Sequence, residues 1–285
     1  MIPLKDNVPT ARFPLVTVLL IAANLVVFGW QLSFSGDEES PEVSQGGVSG
    51  LSERDQNSLE YGAIPYRILH PGKDCAVGVP AGQSGADVVC EGTDEYQEAE
   101  GADTAFVPLD EAAWWVTVLL SMFMHGGLLH IGFNMLFLWI FGNNVEDSMG
   151  RGRFLAFYLL AGIVAVYSQA LIDPGSTVPT IGASGAVAGV LGAYLLLLPR
   201  ARVLTLIFII FFVTIVEIPA YVMLGVWFLL QFLPAVGQVA MPVDGGGGVA
   251  YLAHVGGFLF GLAAIRLFAK HRPGVDGGGP QIPVY

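Results

Sequence analysis

Two residues of this sequence have the side chains needed for nucleophilic catalysis and lie in apolar surroundings. Ser184 belongs to Gly182-Ala183-Ser184-Gly185 at the start of one apolar stretch, and His254 lies inside another, 70 residues later. Polar and ionisable side chains inside membrane spans are costly and usually have a function. A serine hydroxyl activated by a histidine base is the minimum equipment for nucleophilic catalysis. The pair therefore predicts a hydrolase whose active site lies below the membrane surface.

Charge-free runs in the sequence predict six membrane spans. The chain is 54% hydrophobic and only 13% charged, and its mean hydropathy of +0.63 lies outside the usual soluble range. A span needs about 20 apolar residues. The predicted spans cover about 14–34, 124–142, 154–172, 183–199, 219–237 and 249–269.

Two further apolar segments do not fit a full span. Trp114 and Trp115 precede the second span and indicate a segment that lies along the outer interface. The run 203–216 is too short to cross comfortably, so we interpret it as interfacial or re-entrant.

The distribution of basic residues orients the spans. Nine of the 12 Lys and Arg residues fall in segments that six spans would place on one side. The positive-inside rule then makes both termini cytoplasmic. A seventh span at 203–216 would separate Ser184 and His254 on opposite faces. We therefore predict an all-α polytopic membrane protein with six transmembrane helices and cytoplasmic N and C termini.

This topology divides the chain into five segments. They are a cytoplasmic N-terminus (1–13), the first transmembrane helix (14–34), a long acidic extracytoplasmic loop (35–113), a core with five further transmembrane helices (114–269) and a disordered cytoplasmic tail (270–285). The loop holds 17 of the 24 acidic residues against three basic ones, a composition that favours loose structure or disorder. The net charge of −12 comes mostly from this loop and does not indicate a nucleic-acid partner.

Both cysteines, Cys75 and Cys90, lie in the same loop, on the oxidising side of the membrane. We favour a disulfide between them over two free thiols because of that compartment. A bridge closing about 15 residues contributes on the order of 3 kcal/mol in the chain-entropy model. Two cysteines without a nearby histidine pair at ligand spacing do not predict a metal site.

A third polar cluster joins the serine and the histidine. His130 and Asn134 are four residues apart and so share a helix face. The six-span topology places them at a depth similar to that of Ser184 and His254. Taken alone, His130 and Asn134 could simply bond neighbouring helices, because buried polar groups need partners. A channel or transporter would instead place polar groups at several depths, ideally in internal repeats.

Together these motifs resemble the rhomboid intramembrane serine proteases. The resemblance runs from about Trp114 to Phe268 and includes the first span. The residues that carry it are His125, His130 and Asn134 in His-x4-His-x3-Asn, Gly182 and Ser184 in Gly-x-Ser-Gly, His254, Gly257 and Gly261 in Ala-His-x-x-Gly-x-x-x-Gly, and Glu146 to Phe154 in the loop between spans 2 and 3. Gly257 and Gly261 also form a Gly-x-x-x-Gly pattern that predicts close helix packing.

The resemblance implies roles for these residues. Ser184 would be the nucleophile and His254 the general base, while His130, Asn134 and the Ser184 backbone N–H would form the oxyanion hole. His125 would support the fold. One departure from some members is Ala188, which stands where they carry an aromatic residue that stacks on the catalytic histidine.

The resemblance also implies a reaction and its partners. Substrates would be single-span membrane proteins, cut within or next to their transmembrane segment, with the fifth span as a lateral gate. No cofactor or metal is implied, and the bilayer is the other partner. The alternative is a catalytically silent relative that binds membrane clients without cutting them. The absence of an organelle transit signal favours a prokaryotic plasma membrane.

Overall fold

The computed structural model describes residues 1–34, 42–44, 47–49, 52–80, 87–102, 104–110, 112–209, 212–240, 249–271 and 273. Up to residue 110 its elements are β1 (Ile2–Asp6), α1 (Leu15–Gln31), β2 (Glu42–Ser44), β3 (Gly47–Ser49), α2 (Glu53–Tyr61), α3 (Pro65–Leu69), β4 (Cys75–Pro80), β5 (Asp87–Cys90), α4 (Asp94–Gly101) and β6 (Thr104–Pro108). The remaining elements are α5 (Trp114–Leu120), a 3₁₀ turn (Ser121–Phe123), α6 (Leu128–Met149), α7 (Arg151–Ile172), α8 (Ser184–Leu197), β7 (Arg202–Ile209), β8 (Phe212–Pro219), α9 (Ala220–Ala240) and α10 (Tyr251–Phe268). The predicted tail beyond residue 273 lies outside the described residues.

A helix occupies the position of each span that the sequence predicted. Within the described residues, the helices α6, α7, α9 and α10 are long and apolar enough to cross a membrane, as judged from length and composition. The helices α1 and α8 are apolar but shorter, with 17 and 14 residues. The chain is therefore a mostly helical, multi-pass membrane protein.

The short helix α8 packs against α6, α7 and α10 in the centre of the bundle. Eleven of its 14 residues are buried. Its contact with α10 depends on the absence of side chains, since a methyl group on Gly257 would lie 2.1 Å from the carbonyl oxygen of Gly185. A methyl group on Gly261 would lie 2.0 Å from the carbonyl oxygen of Gly189. The predicted glycine contact thus allows the two backbones to touch.

The helix α1 is capped by a residue from another helix. Pro14 precedes α1 and provides no side-chain cap. Instead Glu146, near the end of α6, accepts hydrogen bonds from the backbone N–H groups of Val16 (3.0 Å) and Thr17 (2.7 Å) and from the Thr17 hydroxyl (2.8 Å). A carboxylate at this position satisfies free N–H groups and complements the helix dipole.

The all-helical prediction is wrong for the segment around 203–216. The strands β7 and β8 form an antiparallel hairpin there, and β1 pairs with β7 to complete a three-stranded sheet. This part of the chain is rich in Val, Ile, Phe and Thr, residues that favour strands. Pairing between the strands satisfies backbone N–H and C=O groups of this segment.

The expectation of loose structure over 35–113 is also wrong for most of its described residues. The strands β5, β4 and β6 form an antiparallel sheet, and α2 to α4 lie in the same segment. A disulfide joins Cys75 of β4 to Cys90 of β5, which are directly paired in the sheet. Both cysteines are buried together with Ile64 and Tyr66. High net charge therefore did not prevent folding, because a small apolar core and a covalent bridge support the segment.

Asp6 connects β1 to the helix bundle. One of its carboxylate oxygens accepts hydrogen bonds from the Tyr194 hydroxyl on α8 and from Asn144 Nδ2 on α6, the latter at 2.8 Å. Only 8% of the Asp6 surface is exposed. Burial raises the pKa of Asp6 to about 6, even though these hydrogen bonds oppose the rise.

Candidate active site

Ser184 and His254 lie side by side where two helices begin. Ser184 is the first residue of α8, and His254 lies in the first turn of α10. The distance between Ser184 Oγ and His254 Nε2 is 2.8 Å. His254 is buried and Ser184 is partly exposed, so the imidazole is shielded while the hydroxyl is accessible. This geometry suits a hydroxyl that gives its proton to a ring nitrogen.

The other nitrogen of the same ring has a partner on a third helix. His254 Nδ1 lies 2.8 Å from Oε1 of Gln231 on α9. An amide oxygen only accepts hydrogen bonds, so Nδ1 carries the proton and donates it. In a neutral imidazole, Nε2 is then free to accept from the Ser184 hydroxyl. Gln231 thus holds the ring in the tautomer that a general base requires.

Sequence reasoning missed Gln231. It is the only amide in the predicted span 219–237, which has no charged side chain, and an isolated amide in such a run was the available signal. The sequence did not reveal which face of α9 turns toward His254.

Aromatic side chains of α9 and α10 surround the histidine. The ring centroids of Trp227 and His254 are 6.1 Å apart, and those of Tyr251 and His254 are 6.4 Å apart. Ala188 is fully buried within α8. The aromatic neighbours of His254 therefore come from α9 and from its own helix rather than from position 188.

The structure brings His130 to the serine loop. A methyl group built on Gly182 would lie 2.7 Å from His130 Nε2 and 3.6 Å from Ser184 Oγ. Gly182 also has a φ of +121°, which side-chain-bearing residues rarely adopt. Both constraints explain the glycine two residues before Ser184.

Asn134 lies one helical turn beyond His130 and is buried. Its Nδ2 donates a hydrogen bond of 2.9 Å to the carbonyl oxygen of His130. Since an amide nitrogen carries two hydrogens, one donor remains for another acceptor.

His125 supports the same loop from behind. The backbone N–H of Ala183 donates to the ring nitrogen Nε2 of His125 in a long hydrogen bond of 3.4 Å. The backbone N–H of His125 donates to Gln31 Oε1 at 2.9 Å. The Gly182 N–H donates to the Ser121 carbonyl at 2.8 Å. The backbone before Ser184 is thus tied both to α1 and to the 3₁₀ turn.

The folded part of the 35–113 segment holds the loop that leads to Ser184. Ala63 and Thr180 exchange two backbone hydrogen bonds of 3.1 and 2.9 Å, and the Tyr66 N–H donates to the Ser176 carbonyl at 3.0 Å. A methyl group on Gly62 would lie 2.7 Å from Cβ of Pro179. The contact is therefore close as well as hydrogen-bonded.

The arrangement brings together the kinds of group that nucleophilic catalysis by a serine requires. Among the described residues, no group of three or more His, Cys, Asp and Glu side chains could hold a metal ion. The reactive groups are a hydroxyl, an oriented imidazole and nearby hydrogen-bond donors.

The relatives found by comparison with known proteins share the word rhomboid in their names. The chain is 42% identical over 85 residues to "Rhomboid protease GluP" of Bacillus subtilis, covering 30% of this chain and 16% of that protein. It is 30% identical over 152 residues to "Rhomboid protein 1, mitochondrial" of Saccharomyces cerevisiae, covering 52% and 40%. It is 36% identical over 94 residues to human "Presenilin-associated rhomboid-like protein, mitochondrial", covering 32% and 24%.

The matches thus span less than half the length of each of these relatives. A family model described as "Rhomboid domain" matches residues 112–271, more than half of the chain. That range contains α5 to α10 with Ser184, His254, His130, Asn134 and Gln231. The chain therefore belongs to the Rhomboid family.

Proposed function

We propose that this protein is an intramembrane serine endopeptidase that cleaves single-span membrane proteins within or next to their transmembrane segment. The observation that carries the proposal is the 2.8 Å contact between Ser184 Oγ and His254 Nε2. The protease name of the Bacillus relative is consistent with it. Ser184 and His254 form the catalytic dyad, and no cofactor is required.

The proposed reaction follows from the tautomer of His254. The Ser184 oxygen attacks the peptide carbonyl carbon as its proton passes to Nε2. The resulting imidazolium keeps its Nδ1–H bond to Gln231 and then protonates the leaving amine, so the peptide C–N bond breaks and an acyl-serine forms. Water attacks the acyl-serine and gives a proton to Nε2. Nε2 then protonates the leaving Ser184 oxygen, which releases the carboxyl product and restores the free serine and the neutral imidazole.

The negative charge on the carbonyl oxygen of the intermediate needs donors. We assign His130, the second N–H of the Asn134 side chain and the backbone N–H of Ser184 to this role. His130 lies beside Gly182, and the Ser184 N–H belongs to the first residue of α8, at a helix start, where anions are favoured. Loss of one such donor reduces kcat by about 10²–10³ in other serine proteases.

The proposed topology has six transmembrane helices with both termini in the cytoplasm, counting α1 and α8. At 1.5 Å per residue, α8 is only about 21 Å long. A short, buried helix beginning at Ser184 would place the serine below the outer surface. We retain the division into 1–13, 14–34, 35–113, 114–269 and 270–285 for this topology. Mitochondrial names among the relatives weigh against the prokaryotic plasma membrane, so we propose no particular host membrane.

Substrates would enter beside α9. This helix has only four buried residues and exposes Tyr221, Leu229, Leu230 and Leu233. Its weak packing supports a role as the lateral gate that the family resemblance implies.

The test is cleavage of a single-span reporter in proteoliposomes, with products sized by mass spectrometry. We expect one defined cut by the unmodified protein and none by Ser184→Ala or His254→Ala. Cleavage that survives Ser184→Ala would contradict the assignment of the nucleophile. If several reporters bind but stay uncut, and a fluorophosphonate does not label Ser184, the client-binding alternative is correct.

A further inference from the structure

A pocket of about 530 Å³ lies at the end of the bundle opposite Ser184 and His254. It is enclosed by the residues just before α1, by the turn between α6 and α7, and by Lys270, just after α10. The catalytic pair lies at the starts of α8 and α10, whereas this pocket lies at the end of α6 and beyond the end of α10. The two sites are therefore separated by the length of the helices.

Four exposed cationic side chains line the pocket. They are Arg12, Arg151, Arg153 and Lys270. None of them forms an ion pair with a described residue. Arg153 donates one long hydrogen bond, 3.4 Å, to the carbonyl oxygen of Phe268. Four positive charges from three separate parts of the chain thus meet around one cavity, and none of them is paired with an acid among the described residues.

The two acids in the pocket wall, Glu146 and Asp147, offset only two of these four positive charges. Both oxygens of Glu146 accept hydrogen bonds from the first turn of α1. Asp147 Oδ2 accepts from the Ala11 N–H at 3.0 Å. Glu146 therefore compensates the start of α1, and Asp147 binds the segment before it. Four cations against two acids leave the pocket lining a net charge of +2, which the N-terminus of α7 reinforces.

One exposed apolar side chain lines the pocket, and two others are exposed in the first turns of the adjoining helices α7 and α1. Phe13 lines the pocket and is 50% exposed. Leu155, 41% exposed, lies four residues after Arg151 and so on the same face of α7. Leu15 is also exposed. A soluble anion would use the cations alone, whereas a lipid would place its phosphate on the cations and its acyl chains along these side chains.

We propose that this pocket binds the phosphodiester headgroup of an anionic phospholipid. Arg12, Arg151, Arg153 and Lys270 donate hydrogen bonds to the phosphate oxygens, and the acyl chains run along Phe13 and Leu155. Basic pockets between helices at a membrane interface are suited to such headgroups. Because the cations come from the starts of α1 and α7 and the end of α10, one bound lipid would hold these three helices together. The proposal is independent of catalysis.

The test measures binding of phosphatidylglycerol and phosphatidylcholine to detergent-purified protein by native mass spectrometry. We expect phosphatidylglycerol to bind more tightly and the double variant Arg12→Gln/Lys270→Gln to bind it about thirtyfold more weakly, at about 1 kcal/mol per charge. The matched control is Arg200→Gln/Arg266→Gln. It removes two exposed cations that do not line the pocket. Arg266 is a close match because it lies only four residues before Lys270 in the sequence.

Three outcomes would overturn the proposal. One is equal binding of the two lipids by the unmodified protein. The second is an equal loss of binding in the control variant, which would indicate a general surface charge effect. The third is displacement of the lipid by inorganic phosphate at equal concentration, which would indicate a site for soluble anions. A measurement on the unmodified protein guards against misfolded variants: phosphatidylglycerol should raise Tm more than phosphatidylcholine does.

Discussion

At the scale of single residues, the proposed active site uses an amide where many serine hydrolases use a carboxylate. Gln231 Oε1 accepts from His254 Nδ1 at 2.8 Å, as a carboxylate would, but carries no charge. An ionised carboxylate in an apolar span would need its own compensation. The amide fixes the tautomer of the histidine without this cost, although it stabilises the imidazolium less than an anion does.

The variant Gln231→Leu tests this role. Loss of one hydrogen bond of about 1 kcal/mol should reduce kcat by about fivefold and leave KM nearly unchanged. The measurement is single-turnover cleavage of the reporter. The control is Gln238→Leu, an exposed glutamine on the same helix, which should cleave at the normal rate. Equal activity of both variants would refute the positioning role, and Gln231→Glu should retain more activity than Gln231→Leu.

The chemistry-bearing residues of this site were largely predictable, but their partners were not. Ser184 and His254 stand out because polar groups in apolar runs are costly. Gln231 was equally visible as an isolated amide, yet its use depends on how α9 is rotated against α10. A single apolar helix, exposed over much of its surface, does not encode that rotation in its hydrophobic pattern.

At the scale of elements, the contact of α8 with α10 determines whether Ser184 and His254 meet. The carbonyl oxygens of Gly185 and Gly189 lie where methyl groups on Gly257 and Gly261 would be. Separating these backbones by even 1 Å would stretch the bond between Ser184 and His254 beyond useful length.

The variant Gly257→Ala should therefore lose at least about 10²-fold in cleavage rate and unfold at a lower temperature. Rates are measured with the reporter, and Tm is measured in detergent. Gly225→Ala on α9 is the control, because a methyl group there meets nothing within 4 Å. Normal cleavage by Gly257→Ala would show that the two helices tolerate separation.

At the scale of the whole molecule, Asp6 makes stability depend on pH. The folded pKa is about 6 and the ordinary value is 3.8. Between these values the unfolded chain releases the proton while the folded chain keeps it. Rising pH therefore favours unfolding across this window, by up to about 3 kcal/mol, and the loss is complete above about pH 6.

The variant Asp6→Asn should remove this dependence. We expect it to be more stable than the unmodified protein at pH 7.5 and to lose that advantage near pH 4, as followed by Tm in detergent. Asp94→Asn, which changes an exposed carboxyl, is the control. If Asp6→Asn were less stable at both pH values, the charge on Asp6 would be stabilising, and the sign of our argument would be wrong.

The regions where sequence analysis failed are those governed by long-range pairing. The hairpin β7–β8 is joined by β1, about 200 residues away in sequence, so no local pattern identifies the sheet. The segment 35–113 has the composition of a loose loop, yet its described part folds around Cys75 and Cys90. Membrane helices, by contrast, can be predicted from local sequence. In the bilayer, the backbone N–H and C=O groups of each span must form hydrogen bonds within that span.

The bond between Gln231 and His254 has a consequence for the order of events in turnover. Its two ends belong to α9, the proposed entrance, and to α10, which is fixed against α8. Any outward displacement of α9 large enough to admit a helix must break a bond of 2.8 Å. While the entrance is open, no bond to Gln231 keeps the proton of His254 on Nδ1, so the ring can adopt its other tautomer. In the proposed mechanism, substrate entry and the catalytic tautomer of His254 therefore belong to successive states. A membrane protein that enters only briefly, while α9 is displaced, meets a histidine that Gln231 does not orient.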